Sequence, residues 1–387
     1  MLEELEKKDF HKAKYLFSEI SFINILRSYL ERIPVHKKVF VDDINHPQTA
    51  VILVIPKLFF GGRADNQEFN NELRKILYKN LKLKFKEKNF LEIDCYISNS
   101  DWEEGIKFVL KDPYLYNRYY YEINELKLKN WRELIPEGYS IEPVDLTLIG
   151  KDYLKNYDLL MEEIKENWMP FEEGLKENRG FYLVRENSEI VCWCTTEYLT
   201  DDNEIEVGIA TREEYQRRGF ASIVGSATAE YCLRKYKSVG WHCTTTNIGS
   251  YKTAEKIGYK RVKDYKKFGA YFNQVDNWVV NGFLKFQSKE YKEAIRWYEK
   301  IIGAASKETS EYLESYYVQR EFLLEIYFRL STFYCRLGNK KKAVEYLKRT
   351  IENGYKEEDQ LLKSELLKPL HGTEEWNELI RLIRKNT

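Results

Sequence analysis

The chain has 387 residues, 43% of them apolar and 15% aromatic, and its 62 Lys and Arg balance 62 Asp and Glu. This length exceeds one compact domain and the apolar share supports sizeable cores, so wholesale disorder and low complexity are excluded. A formal net charge of zero, with no long block of one sign, lacks the electrostatic footprint of a nucleic-acid binder or a polybasic membrane binder.

Met1 to Ile20 is charged throughout, and no run of 18 apolar residues occurs, which predicts a cytoplasmic protein without a membrane segment. Residues 10 to 32 carry apolar side chains at helical spacing and stop before Pro34, predicting one amphipathic helix. Val39 to Val41 and Ala50 to Ile55 read as strands joined by a turn, Asn71 to Phe85 as a helix, and Leu91 to Ile97 as an alternating strand. Gly61-Gly62-Arg63 reads as a glycine turn, with an anion loop as the alternative. Residues 1–135 are therefore expected to form a mixed α/β domain.

A second α/β domain is expected over residues 136–275 in the order β-α-α-β-β-β-α-β-α. Its strands are Tyr139 to Val144, Phe181 to Arg185, Ile190 to Tyr198, Ile205 to Ala210 and Val239 to Thr244. Its helices run up to about Glu177, then over Ala221 to Tyr236 and Ser250 to Ile257. The six cysteines (Cys95, Cys192, Cys194, Cys232, Cys243, Cys335) lack the density of a disulfide framework and the spacing of a metal site. Reduced, buried thiols and no metal are expected, and Cys194 and Cys243 lack the Cys-His-acid order of a nucleophile.

Residues 276–387 show only helical periodicity. Trp278, Gly282, Tyr291, Ala294 and Tyr298 fit the large, small and aromatic offsets of a tetratricopeptide repeat, and Tyr327, Leu330, Tyr334, Gly338 and Ala343 fit a second register. The insertion between them falls around Gly303 to Tyr317. Small residues at Gly282, Ala294 and Ala343 allow paired helices to approach closely. A generic helical bundle is the other reading of this all-α domain. Two repeats fall short of an independent solenoid, so docking on the preceding domain is expected, and such repeats also offer a surface for a protein partner.

The chemistry concentrates where the strand Ile205 to Thr211 runs through Arg212 to Tyr215 into Gln216-Arg217-Arg218-Gly219-Phe220-Ala221 and a helix. Backbone N–H groups of such a loop, at the positive end of a helix, form an anion-binding concavity suited to a diphosphate. Gly219 keeps side chains away from the phosphates, Ala221 and Ser222 permit close approach, and Arg217 and Arg218 add charge.

The stretch Gln216-Arg217-Arg218-Gly219-Phe220-Ala221 resembles the acyl-CoA signature of the GNAT superfamily. Asn247, Ser250, Ala254 and Gly258-Tyr259 are similar to its downstream segment. Val191 to Cys194, Glu206 to Thr211, Gly240 to Cys243, Asn247 to Ser250 and Ala254 to Lys256 resemble a bacterial subfamily. That subfamily includes self-resistance enzymes acetylating amine-bearing peptide antibiotics such as zwittermicin. The resemblance is strong over residues 139–270 and weak over 35–135, where it implies a degenerate GNAT-like domain that binds no CoA and walls the acceptor cleft.

The resemblance implies a GNAT fold in which two central parallel strands splay around pantetheine. Ile209, Ala210 and Thr211 would offer backbone groups to it. Gln216, Arg217, Arg218, Gly219, Phe220, Ala221 and Ser222 would hold the diphosphate, with Asn247 and Ser250 along the arm. The implied activity is N-acetylation by acetyl-CoA of a primary amine on a small or peptide-like molecule, in antibiotic inactivation or self-resistance. Other readings are a CoA-binding scaffold and a protein acetyltransferase recruited by the repeats. The tyrosine that protonates CoA thiolate in many members aligns with Ala254, leaving Tyr251 as the substitute acid or as a helix-surface residue. Amine attack needs a base. Glu206, Glu204, Glu197 and His242 are the candidates; Glu206 precedes the splay, and Glu197 is equally placed to bind the substrate ammonium.

Overall fold

The computed structural model describes residues 1–31, 37–82, 92–168, 171–177, 179–186, 188–317 and 322–386. Residue 32, Pro34, residues 83–85 of the second expected helix, and Leu91 lie outside the described residues. Contacts divide the chain into a first unit of Met1–Ile76, Ile93–Gly105 and Tyr116–Phe268, and a second of Leu77–Glu92, Ile106–Leu115 and Gly269–Thr387.

The first unit is built on a twelve-stranded sheet. In chain order its strands are β1 (Glu3–Glu4), β2 (Lys38–Val41), β3 (Thr49–Val54), β4 (Lys57–Gly62), β5 (Glu92–Ile97), β6 (Tyr114–Glu122), β7 (Tyr139–Pro143), β8 (Gly180–Arg185), β9 (Glu189–Glu197), β10 (Glu204–Thr211), β11 (Ser238–Thr244) and β12 (Lys260–Tyr271). Their spatial order is β1-β2-β3-β4-β5-β12-β6-β11-β10-β9-β8-β7. The halves therefore exchange a strand each: β12 sits between β5 and β6, and β6 lies against β11, antiparallel from Gly240↔Glu122 to Thr244↔Arg118. Side-chain character marks an interior strand. β3 (Thr-Ala-Val-Ile-Leu-Val) is buried at every residue, as its β-branched and apolar run favours.

The single helix expected over residues 10–32 is instead two 3₁₀ segments, Lys7–Lys12 and Lys14–Ile20, followed by helix α1 (Asn24–Glu31). Tertiary contacts override the helical period at the break, because Phe22 packs 5.3 Å from the rings of both Tyr120 and Tyr265. Helix α2 (Gln67–Lys75) begins four residues before the expected Asn71, since Asn66 Oδ1 caps it by accepting from the Phe69 N–H at 3.1 Å. Gly61 and Gly62 end β4 rather than forming a turn. A Cβ on Gly62, where φ is +74°, would lie 2.0 Å from the Gln48 carbonyl oxygen. Helix α3 (Trp102–Val109) follows β5.

In the C-terminal half, α4 (Tyr157–Asn167) and α5 (Phe171–Lys176) precede β8, α6 (Phe220–Lys235) links β10 to β11, and α7 (Ile248–Ile257) precedes β12. Helices α6 and α7 cover one face of β9 to β11, where Val224, Cys232, Trp241, Ala254 and Tyr259 share a core. All six cysteines are buried, and burial pushes the Cys192 and Cys232 thiols up to about 12.

The second unit carries α8 (Gln274–Gln287), α9 (Tyr291–Ala305), α10 (Ser310–Leu313), α11 (Phe322–Arg336), α12 (Lys340–Glu352), α13 (Glu358–Lys363) and α14 (Glu374–Asn386). Helices α8 and α9 pair so closely that a Cβ on Gly282 would meet the Tyr298 ring at 2.4 Å, and α11 pairs with α12. Ala294 and Ala343 are fully buried at the corresponding helix contacts, and α10 occupies the inserted stretch. Segment 106–115 belongs here too, because Asn277 Nδ2 donates to the Lys111 carbonyl at 2.7 Å.

Candidate active site

Strands β10 and β11 are parallel and paired only from Glu204↔Ser238 to Glu206↔Gly240. Beyond that point β10 follows β9 to Thr211, while β11 follows β6 to Thr244. The pair thus splays, as the resemblance implied. Strand alternation then divides the side chains. Ile209 and Thr211 point to the α6 and α7 face, whereas Glu206, Gly208 and Ala210 point to the other.

On the helical face lies a cleft of about 410 Å³ lined by Ile209, Thr211, Tyr215, Gln216, Arg217, Gly219, Phe220, Ala221, Ser222, Asn247, Gly249, Ser250 and Thr253. Residues separated by forty positions thus meet in one place. Arg217 and Gly219 adopt left-handed backbone (φ +60° and +86°), which turns the loop so that Gly219 opens α6 without any side-chain cap. A Cβ on Gly219 would meet no atom within 4 Å, so its φ, not crowding, calls for glycine. An uncapped 16-residue helix with Arg217 in the same cleft suits a diphosphate, and these residues fit acyl-CoA. Asn247 Oδ1 caps α7 by accepting from the Ser250 N–H at 3.0 Å, and Ser250 Oγ accepts from Trp241 Nε1 at 3.0 Å.

Two expected cofactor residues fall outside the lining. Ala210 pairs with Trp193 on the opposite face. Arg218 lies over the Tyr215 ring at 5.1 Å and donates to the Glu214 carbonyl at 2.9 Å. Tyr215, Gly249 and Thr253 join the cleft unforeseen, although each is a neighbour of the motif. Tyr215 is itself tethered, its hydroxyl donating to Glu189 Oε2 at 2.6 Å.

On the opposite face is a cavity of about 340 Å³ lined by Ile23, Ile25, Lys57, Asp94, Tyr96, Arg118, Glu197, Tyr198, Glu206, Val207, Gly208, His242 and Tyr265. Two base candidates face it together. Glu206 and Glu197 are cross-strand partners, so their side chains share this face. Glu206, 6% exposed, accepts on Oε1 from the Asn24 N–H at 2.7 Å, and the same oxygen lies 3.2 Å from His242 Nε2. That leaves Oε2 without a partner among the described residues. Glu197 Oε1 accepts from Asn167 Nδ2 at 3.2 Å, and only a glycine at 208 leaves room for it, since a Cβ there would stand 2.1 Å away. Tyr198, next in the chain, is held at φ +50°, a strained conformation for a bulky residue.

His242 stacks on Tyr120 at 4.6 Å and its Nδ1 lies 3.0 Å from the Tyr265 hydroxyl, so it is a packed, hydrogen-bonded histidine; its Nε2 lacks hydrogen-bond geometry to any described group. Burial pushes the Tyr265 phenol up. Glu204 is committed elsewhere, accepting from Arg27 Nη1 at 2.6 Å. Tyr251 lines neither cavity; its ring stands edge-on to Tyr119 at 5.9 Å. Ala254 is fully buried. Asn24, Arg118 and Tyr265 were not foreseen, because their place depends on α1, β6 and β12 reaching this face.

Two clefts thus lie on opposite faces of a splayed parallel pair, one at an uncapped helix N-terminus and one holding carboxylates. The family model described as GNAT acetyltransferase matches residues 15–268, and the chain belongs to that family. It is 24% identical over 267 residues to the uncharacterized N-acetyltransferase YdfB of Bacillus subtilis (strain 168), covering 68% of this chain and 97% of that protein. A solved GCN5-related N-acetyltransferase-like protein from Streptococcus suis 89/1591 has the same fold, with TM-score 0.50 and 21% identity over 67% of this chain and 98% of that one. No helix among the described residues is long and apolar enough to cross a membrane.

Proposed function

We propose that the protein transfers the acetyl group of acetyl-CoA to a primary amine of a small or peptide-like molecule. The observation that carries this reading is a pair of cavities on opposite faces of β10 where it parts from β11, with the Gln216–Ser222 loop on one face and Glu206 on the other. Arg217, Gly219 and the first turn of α6 hold the diphosphate. Ile209 and Thr211 border the pantetheine, with Asn247 and Ser250 alongside. Acetyl-CoA supplies an activated thioester carbonyl. Glu206 takes the proton released by the neutral amine as its nitrogen bonds to the carbonyl carbon, the carbon–sulfur bond breaks, and CoA departs as the thiolate with the electron pair. Glu197 binds the arriving ammonium, which gives up a proton to become the reactive neutral amine, and the Asn24 N–H fixes the Glu206 carboxylate.

Functionally, residues 1–135 wall the acceptor cavity, residues 136–275 bind acyl-CoA, and residues 276–387 are tetratricopeptide-like helices that present a surface for a protein partner. A cytoplasmic setting and a role in inactivating an amine-bearing antibiotic follow from the resemblance. One observation favours a second reading, a CoA-binding scaffold of weak turnover. Ala254 is buried where the family's acid tyrosine aligns, and Tyr251 faces Tyr119 instead. Incubating the chain with acetyl-CoA and a panel of primary amines while following free thiol separates the two. Amine-dependent thiol release supports the transferase, and acetyl-CoA binding without release supports the scaffold.

A further inference from the structure

Arg118 stands out among the cations of the acceptor face. Lys267 has Asp94 at 2.5 Å and Arg27 has Glu204 at 2.6 Å. Arg118 has no carboxylate within ion-pair distance among the described residues, and its buried Nε has no hydrogen-bond partner there. Its guanidinium lies over the Tyr265 ring at 5.8 Å, within the cavity wall that also holds Glu197 and Glu206. Asp94 and the Tyr265 hydroxyl support the half-buried guanidinium at a distance, but neither forms an ion pair with it, so a ligand anion can still take direct hydrogen bonds from its fork.

We infer that the acceptor carries a carboxylate as well as its amine, and that Arg118 binds the carboxylate while Glu197 and Glu206 receive the amine. This rests on the acetyltransferase reading. The planar guanidinium fork matches a carboxylate in two parallel hydrogen bonds. A cavity that already holds Asp94, Glu197 and Glu206 suits a monoanion better than a phosphate dianion.

The sheet register also sets the span of the acceptor. Glu206 pairs with Gly240, Gly240 with Glu122, and Arg118 lies four residues further along β6, its side chain on the same face. Two strand spacings and four residues of strand rise place the two Cα atoms roughly 16 Å apart. That backbone separation leaves room between the two side chains for an ω-amino acid or a short peptide. Arg118 and Tyr265 also line an adjoining pocket of about 350 Å³, in which Lys266 is already paired with Glu103 at 2.6 Å, so a longer chain can extend past the guanidinium.

The test is calorimetric binding of 6-aminohexanoate, glycylglycine and L-alanine to the full chain, each against its carboxamide. Each acid that spans the two groups should bind about 30-fold tighter than its amide, and L-alanine shows whether a shorter spacing suffices. Arg118→Gln should bring acid and amide within about threefold, while Glu206→Gln leaves the acid preference in place. Equal affinity for acid and amide in the wild-type chain, or no binding of the longer acids at about 10 mM, overturns the inference. The wild-type comparison stands even if Arg118→Gln fails to fold. Acetyl transfer to amines without acid preference sinks this inference alone. Acid-selective binding without any acetyl transfer sinks the acetyltransferase reading instead.

Discussion

Replacing Glu206 by glutamine removes the proposed base while keeping the shape of the side chain. In the structure Glu206 Oε1 accepts from the Asn24 N–H at 2.7 Å, and a glutamine carbonyl oxygen can take over that bond. The loss is confined to the charge-assisted part of the hydrogen bond, about 1 kcal/mol. A unit of this size should then melt only about 2–4 °C lower. Glu206→Ala, by contrast, leaves the Asn24 N–H without an acceptor, at a cost of about 1–3 kcal/mol. Removing a general base should slow the reaction about 10²- to 10⁴-fold, equivalent to about 3–5 kcal/mol of barrier. Affinity for acetyl-CoA should be unchanged, because the residues proposed to hold the diphosphate lie on the opposite sheet face. Initial rates of thiol release at saturating amine, calorimetry with acetyl-CoA and a thermal melt read these three quantities separately. A Glu206→Gln rate within about threefold of wild type would refute the assignment of the base. A rate loss matched by a collapse in stability would reduce Glu206 to a cap on α1.

Further outcomes distinguish neighbouring residues. Arg217→Ala should weaken acetyl-CoA binding by roughly tenfold or more in calorimetry, the worth of one charge-assisted contact, whereas Arg218→Ala should have a smaller effect because Arg218 is turned onto Tyr215. Gly208→Ala drives a Cβ to 2.1 Å from Glu197 Oε1, so steady-state kinetics should show KM for the amine raised roughly tenfold with acetyl-CoA affinity intact. The Lys155 ammonium and the Tyr215 hydroxyl hold the Glu189 carboxyl below its ordinary 4.5. Its lowered value stabilises the fold above the unfolded pKa, and this is lost as pH falls through the folded pKa. Melting temperatures measured from pH 6 downward should therefore drop below about pH 4.5, and less steeply in Glu189→Gln. Gly282→Ala should lower the melting temperature of the helical unit, since crowding the Tyr298 ring costs about 1–3 kcal/mol against the smaller gain in helix propensity.

The segment from Ile205 to Tyr236 was legible from sequence because its signals are local. Alternation marks β10, the glycine at 219 marks the turn, and α6 spans Phe220–Lys235 against an expected Ala221 to Tyr236. The strands β4, β6 and β12 were not read. β12 begins Lys-Arg-Val-Lys-Asp and is exposed along its first half, so no apolar alternation betrays it. Its place beside β6 comes from pairings between distant parts of the chain, which no local pattern encodes. The same reason hid Arg118, whose bearing on the acceptor cavity appears only once β6 lies against β11. The first helix failed differently: its apolar period was real, but packing of Phe22 and the Asn24 contact with Glu206 set α1 apart from the two 3₁₀ segments before it. In the loop from Gln216 to Ser222 the sequence could not orient Arg218, because side-chain direction followed from the left-handed turn at Arg217.

The central claim is that the cleft between α6, α7 and the splayed end of β10 holds acyl-CoA. Titrating acetyl-CoA into the full chain in a calorimeter tests it most directly. Saturable one-to-one binding in the micromolar range, reproduced by CoA itself, is the expected result. Absence of any binding heat, with the chain folded by its thermal melt, would contradict the account and leave a protein of this fold without its donor site.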